Sequence, residues 1–191
     1  MRIMSRVFDA VVIGSSAGGL LALTEIIPKL PKEFISVIVV MHLKPDSESF
    51  MVPYLAQMSA LSVKEAVCNE PILKNIVYIA PPYYHLLIEH DQSFSYSLEE
   101  PVNFCRPSID LLFESAALAY QDRLLGLVLT GANSDGSLGL KSIKEHGGLL
   151  MVQDPKTAEF PEMPSAAIEL NEVDYIIPLN EIADKLMELT A

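Results

Sequence analysis

A serine, a histidine and an aspartate each follow a different apolar run of this sequence. Ser16 follows AVVIG, His42 follows ISVIVVM, and Asp135 follows LLGLVLTGANS. A serine hydroxyl is a poor nucleophile at neutral pH unless a histidine takes its proton and a carboxylate orients that histidine. The three residue types therefore predict nucleophilic chemistry at a carbonyl, provided that the fold brings them together.

The serine lies in a glycine-rich turn. Residues 14–18 read Gly-Ser-Ser-Ala-Gly, and this fits the G-x-S-x-G pattern that lifts a serine hydroxyl onto a turn between a strand and a helix. Ser15 is the weaker nucleophile because it occupies a variable position of the pattern. Unpaired N–H groups at the start of the helix would favour a developing oxyanion. The alternative is that Ser15 or Ser16 only caps the helix.

Of the four histidines, His42 has the best position for a general base. His146, in KEHGG, is typical of a helix C-terminus, where its charge and the following glycine end the helix. His90 falls at a predicted hairpin turn, and for His85 a hydrogen-bonded loop role is favoured. A lone histidine after a strand is more often a loop residue whose hydrogen bonds are satisfied. The assignment of His42 as a base therefore depends on the accompanying serine and aspartate.

The choice of the orienting carboxylate stays open on pattern alone. Asp135 lies in TGANSDGS, whose glycines permit unusual backbone angles, whereas Asp154 in MVQDP also follows an apolar strand. Asp135 has a further alternative role, because it precedes a predicted helix over 136–146 that it could cap.

The elements that must position these residues follow a β-α-β rhythm. We predict strands at 9–14, 35–41, 76–80, 124–130, 148–153 and in DYIIP, and helices at 18–29, 48–58, 108–120, 136–146 and in LNEIADKLMEL. Strands 85–90 and 93–98 follow a Pro81-Pro82 break and form a hairpin. The fold class is α/β, a three-layer doubly wound, mostly parallel sheet with an antiparallel hairpin segment. In such sheets, ligands bind beyond the carboxyl ends of the strands.

Composition limits the function classes. The chain has 191 residues, 50% of them hydrophobic, and a net charge of −12, so we expect one domain over 1–191 and no nucleic-acid partner. Cys68 and Cys105 lack the spacing of a disulfide framework or a zinc site, which favours the cytoplasm. We find no leader peptide and no apolar run of about 18 residues, so no membrane insertion is expected.

Several motifs in order resemble one known family, the catalytic domain of the chemotaxis receptor protein-glutamate methylesterase, CheB. They cover nearly the whole chain and read VVIGSSAGG, VVMHLKP, VYIAPPYYHL, RPSIDLLFESAA, LTGANSDGSLGL and GGLLMVQDPKTAEFPEMPSAAI. The resemblance implies that Ser16 is the nucleophile, that His42 is the base, and that Asp135 rather than Asp154 orients it.

The resemblance also implies an activity. It predicts hydrolysis of glutamate γ-methyl esters on the helical cytoplasmic region of a chemoreceptor, with glutamine deamidation as a second activity and no metal or cofactor. We assign the oxyanion and substrate loops to Ala17, Gly18, Ala132 and Arg106. Lys44, Lys141 and Lys156 could also offset the repulsion between an acidic receptor and this acidic domain.

Three departures from the family pattern stand out. Ala17 replaces the threonine that often follows the nucleophile, and Ala132-Asn133 replaces a Met-Gly pair. The family's N-terminal receiver domain is not expected, since Ser16 lies so near the start of the sequence. Regulation by phosphorylation of an attached receiver is therefore not expected either. The oligomeric state is open.

Two other readings remain. A non-catalytic signalling module could keep the same fold and bind receptors or other pathway proteins. A nucleotide-binding α/β domain also has a glycine-rich turn after its first strand, but it usually places an acidic residue at the tip of the second strand, where this chain has His42.

Overall fold

A seven-stranded parallel sheet forms the centre of the protein, whose computed structural model describes residues 7–42 and 50–191. Its strands are β1 Ala10–Ser15, β2 Ser36–Met41, β3 Ser62–Glu65, β4 Ile76–Ile79, β7 Leu124–Val128, β8 Leu149–Gln153 and β9 Tyr175–Ile177. They lie in the order β3-β4-β2-β1-β7-β8-β9, and every neighbouring pair is parallel. The central strands are apolar runs because helices cover both of their faces.

Six helices and a hairpin complete the fold in the described residues. The helices are α1 Gly19–Ile26, α2 Met51–Met58, α3 Ile109–Tyr120, α4 Ser137–Glu145, α5 Glu162–Leu170 and α6 Ile182–Thr190, and the hairpin pairs β5 His85–Ile88 with β6 Phe94–Ser97. One core contains apolar residues of α1, α2 and α6, and the other contains those of α3, α4, α5 and the hairpin. The predicted three-layer, doubly wound fold with an antiparallel hairpin is confirmed.

The chain reverses its direction of winding around β1. β2 lies on one side of β1 and β7 lies on the other. In a doubly wound sheet, this reversal opens a crevice at the carboxyl ends of the strands. Ser16 follows β1, His42 follows β2, and the loop that contains Asp135 follows β7. The topology therefore brings all three loops to one edge of the sheet.

The predicted elements differ from the structure in a few places. The first helix ends at Ile26, and Pro28 lies in a 3-10 turn, Ile27–Lys29. Residues 48–49 of the predicted second helix and Lys44 lie outside the described residues. β3 and α5 were not predicted. β3 reads SVKE and lies at the edge of the sheet, where its residues are partly or fully exposed and give no buried apolar run.

Within the described parts of the chain, no helix is both long enough and apolar enough to cross a bilayer.

Candidate active site

The turn after β1 separates the two serines. Ser15 pairs with Met41 in the parallel register, and its side chain is fully buried. Its hydroxyl has no hydrogen-bond partner among residues 7–42 and 50–191. Ser16 comes one residue beyond this pair and is partly exposed. Ser16 is therefore the serine that solvent and a substrate can reach.

Backbone contacts hold Ser16 at the start of α1. Its N–H donates to Thr130 O at 3.0 Å, and its carbonyl accepts from Gly19 N at 2.9 Å. Gly18, the N-cap, has a φ of 77°, and a Cβ there would come within 3.0 Å of Thr130 Oγ1. A residue other than glycine would strain this turn, so the chain places Gly18 where the left-handed conformation is needed.

His42 and Asp135 form the central contact of the site, although 93 positions separate them. His42 Nε2 lies 2.9 Å from Asp135 Oδ2. The Asp135 side chain is fully buried, whereas that of His42 is 14% exposed. The backbone N–H of His42 also donates to Ser15 O at 3.2 Å, which fixes the base beside the serine turn.

Asp135 is held at the start of α3. Its carboxylate accepts hydrogen bonds from the N–H groups of Ile109 at 2.8 Å and Asp110 at 3.0 Å, and from Ser108 Oγ at 3.1 Å. Burial raises the pKa of Asp135, but the His42 hydrogen bond and these N–H donors outweigh burial and hold the pKa below its ordinary value. The group is thus an anion fixed by a helix N-terminus. The alternative in which Asp135 caps 136–146 is wrong, since it caps α3.

The carboxylate changes the basicity of the imidazole. Burial alone lowers the pKa of His42, but hydrogen bonds to Asp135 and Cys105 and the charges of both groups raise it to about 9. Because Asp135 is an anion, Nε2 carries the proton that it shares with the carboxylate. In the neutral ring the lone pair therefore lies on Nδ1.

Two side chains lie near that nitrogen. Cys105 Sγ is 3.7 Å from His42 Nδ1, and Asn133 Nδ2 is 3.4 Å from it. Asn133 Nδ2 also donates to Cys105 Sγ at 3.4 Å. Donor atoms of His42, Cys105 and Asp135 all lie within 4.8 Å of one another, so this group could hold a metal ion. The structure thus places the Cys105 thiol against the imidazole of His42.

Two further residues position the site, and the sequence did not indicate their roles. Thr130 Oγ1 donates to Ala17 O at 3.0 Å and accepts from Phe160 N at 2.9 Å, which ties the serine turn to a distant loop. Asp110 lies beside Asp135 and accepts from backbone N–H groups at the start of α4. The motifs RPSID and LTGANSDGS contain these residues, but neither motif shows which contacts they make.

The residues predicted for oxyanion and substrate binding lie around the same edge. In residues 7–42 and 50–191, the amides of Ala17 and Ala132 make no hydrogen bond, and Ala132 is exposed. Arg106 is exposed and donates to the carbonyls of Leu98 and Glu99. These donors come from loops next to the His42–Asp135 pair.

The remaining candidates have other roles in the structure. His85 is buried, where Nδ1 accepts from Ser108 N at 3.1 Å and Nε2 donates to Glu100 O at 3.2 Å. His146 donates to Ser142 O at the end of α4. Asp154 accepts from Lys156 N and caps a 3-10 turn, so it does not contact His42. The remaining histidine, His90, is exposed, and so are Lys141 and Lys156.

The fold and site define a doubly wound α/β domain with a histidine–carboxylate pair at the carboxyl edge of its sheet, beside a serine turn. The sequence profile described as CheB methylesterase matches residues 11–186. The chain belongs to the CheB methylesterase family.

Similar proteins extend over nearly all of this chain. A Leptospira interrogans protein is 50% identical over 183 residues, which are 95% of each chain. A Clostridium acetobutylicum protein named protein-glutamate methylesterase/protein-glutamine glutaminase is 36% identical over 98% of this chain and 55% of its own length. The crystal structure of the Thermotoga maritima CheB methylesterase catalytic domain has a TM-score of 0.92 at 35% identity, covering 95% of this chain and 98% of that one.

Proposed function

We propose that this chain is a protein-glutamate methylesterase in which Ser16, His42 and Asp135 act as a catalytic triad. The observation that carries the proposal is the 2.9 Å hydrogen bond between His42 Nε2 and the buried Asp135 carboxylate, and the partly exposed Ser16 in the neighbouring turn after β1 supports it. The name of the Clostridium relative supports the same activity.

The tautomer assigns a role to each nitrogen. Nε2 keeps its proton on Asp135, so Nδ1 accepts the proton of Ser16 as the hydroxyl oxygen attacks the γ-carbonyl of a glutamate methyl ester. The usual serine protease arrangement is the reverse, with the carboxylate on Nδ1. His42 then gives the proton to the leaving methoxide. Methanol departs, and a glutamyl-serine ester remains on the enzyme.

Water completes the cycle. His42 Nδ1 takes a proton from water, the hydroxide attacks the acyl carbonyl, and Ser16 leaves with that proton. The product is a free glutamate. We assign the amides of Ala17 and Ala132 to the oxyanion, because they border the serine and aspartate loops and have no hydrogen-bond partner in the described chain. Gly18 and Arg106 belong to the substrate loops in this proposal.

Glutamine deamidation is a second candidate, and the relatives' names favour it. A glutamine side chain gives the same acyl-serine, but its leaving group is an amine and needs a proton. The protonated His42 supplies that proton, so ammonia replaces methanol as the first product. No additional residue is required.

The substrate and setting follow from the same proposal. The proposed partner is a methylated chemoreceptor or a related signalling protein. We propose that the sequence forms a single catalytic domain. The two free thiols, Cys68 and Cys105, favour the cytoplasm. With its net charge of −12, the chain is a poor ligand for nucleic acid.

The test compares two adjacent serines. Ser16→Ala should lower the release of methanol from a methylated receptor fragment by about three orders of magnitude or more. Ser15→Ala is the matched control and should keep the activity, because the Ser15 hydroxyl is buried and unpaired among the described residues. Full activity in Ser16→Ala would refute the nucleophile, and an inactive parent chain would favour the non-catalytic signalling module.

A further inference from the structure

We infer that Cys105 and His42 form a binding site for a thiophilic divalent cation, with Zn²⁺ as the ion that fits, and that the bound ion blocks the esterase. The block rests on the proposed function, whereas the binding does not. Zinc takes thiolate and imidazole ligands in a tetrahedral arrangement. Both donor types meet here at one solvent-accessible edge.

The spacing of the two donor atoms fits chelation. A tetrahedral zinc ion with bonds of about 2.0 Å to nitrogen and 2.3 Å to sulfur holds those atoms about 3.5 Å apart. Cys105 Sγ and His42 Nδ1 are 3.7 Å apart. The ion can therefore bind both atoms with a shift of a few tenths of an ångström, and water fills its other positions.

Asp135 completes the arrangement from the far side of the ring. A histidine that binds a metal usually donates its other N–H to a carboxylate, which fixes the ring and raises its basicity as a ligand. His42 Nε2 already makes this contact with Asp135 Oδ2 at 2.9 Å. Nδ1 is consequently the nitrogen that is oriented for an ion, which would replace the 3.4 Å contact from Asn133 Nδ2.

The surroundings admit an ion from solvent. Cys105 and Asn133 are partly exposed, and Ala132 beside them is exposed. In the described residues, the Cys105 thiol contacts Asn103 O at 3.4 Å and His42 Nδ1 at 3.7 Å. Binding removes this thiol proton, together with any proton on Nδ1, and releases them to solvent. The carbonyl of Asn103 then loses a weak hydrogen-bond donor, and the Cys105 sulfur coordinates the metal ion.

The ion would stop catalysis because it takes the lone pair that the reaction uses. With Nδ1 bound to Zn²⁺, His42 cannot accept the proton of Ser16. The predicted result is reversible inhibition that a chelator relieves. The serine hydroxyl itself stays free of the ion, because the ion binds His42 rather than the serine.

Cobalt binding tests the site without reference to activity. Co²⁺ added to the whole chain should give a thiolate-to-cobalt charge-transfer band at one ion per chain, and Zn²⁺ should displace it. Cys105→Ser should lose the band, whereas Cys68→Ser, which changes the second free thiol, should keep it. Asp135→Asn should weaken the affinity by about tenfold or more. The absence of a band in the parent chain, or its persistence in Cys105→Ser, would overturn the site.

The inhibition is measured as the ratio of each variant's activity with and without Zn²⁺. The parent chain and Cys68→Ser should be inhibited, and Cys105→Ser should not be. Tight Zn²⁺ binding without inhibition would refute the block. A parent chain without esterase activity would refute the proposed function instead, and the cobalt band would still decide the site.

Discussion

Asp135 and Asp110 cap each other's helices. The Asp135 carboxylate accepts from the N–H groups of Ile109 and Asp110 at the start of α3. Asp110 Oδ1 in turn accepts from Gly136 N at 2.9 Å and Gly139 N at 2.7 Å at the start of α4. The two helix N-termini therefore hold two buried carboxylates side by side, and one of these carboxylates is hydrogen-bonded to His42.

The first prediction concerns the charge of Asp110. Burial and the negative charge of Asp135 together raise its pKa to about 6, although the N–H groups of Gly139 and Gly136 lower it. A carboxyl that binds its proton more tightly when folded stabilises the fold fully below its unfolded pKa of about 4, and this stabilisation is lost as the pH rises through about 6. Asp110→Asn should remove this pH dependence.

Chemical denaturation between pH 4 and pH 7.5 provides the measurement. The stability of the parent chain, relative to Asp110→Asn, should fall across this range. A difference that stays constant with pH would show that Asp110 does not titrate there.

The second prediction is the pH dependence of kcat/KM. In the proposed mechanism the neutral imidazole is the base, and the pKa of His42 is raised to about 9. Activity should therefore rise with pH, by about tenfold per unit well below pH 9, and level off above it. Because Cys105 contributes to the raised pKa, Cys105→Ser should move the acid limb to lower pH.

Cys68→Ser is the control for this profile, since Cys68 does not contribute to the pKa of His42. Rates at several pH values, measured with a small ester in metal-free buffer, decide the result. An acid limb that stays in place in Cys105→Ser would contradict the predicted effect of the thiol.

The third prediction concerns Thr130, whose hydroxyl bonds both Ala17 O and Phe160 N. Thr130→Val keeps the shape but leaves these partners unpaired, which should cost about 1–3 kcal/mol of unfolding free energy. The turn that carries Ser16 loses a tether, so kcat should fall as well. Thr130→Ser retains the hydroxyl and should recover most of both losses. Steady-state kinetics and thermal unfolding measure them, and equal effects in the two variants would contradict the role of the hydroxyl.

The fourth prediction separates backbone strain from function. Gly18 and Gly147 have φ values of 77° and 85°, and only Gly18 borders the serine turn. An alanine in this left-handed region costs about 1–2 kcal/mol, so both Gly→Ala variants should be destabilised to a similar degree. Only Gly18→Ala should also lower kcat/KM below the melting transition. Unfolding curves and kinetics on both variants test this, and normal kcat/KM in Gly18→Ala would mean that the turn tolerates the change.

Much of the fold was predictable because its strands are continuous apolar runs. The rule that ligands gather at the carboxyl ends of parallel strands led to Ser16 and His42 from the sequence. Spacing alone left Asp135 and Asp154 equivalent, and only the family resemblance separated them. Their structural difference lies in contacts with α3, more than 20 positions from Asp135 along the chain, which no local pattern encodes.

The approach of Cys105 to His42 was not predictable for the same reason. The two residues are 63 positions apart, and the contact depends on the path of a loop rather than on an element with a period. Which imidazole nitrogen faces the carboxylate also depends on the tertiary structure. The residue types of the site can therefore be identified from the sequence, whereas the orientation of the imidazole ring is visible only in the folded protein.

The point at which β1 ends has a consequence for how this turn can change in evolution. Ser15 is the last residue of the strand and is buried, whereas Ser16 follows the strand and is partly exposed. If the end of the strand stays in place, gain of one residue within β1 would move Ser15 to the exposed position, and loss of one residue would move Ala17 there instead. A duplicated serine here is thus no spare, because only the residue that follows the strand reaches solvent.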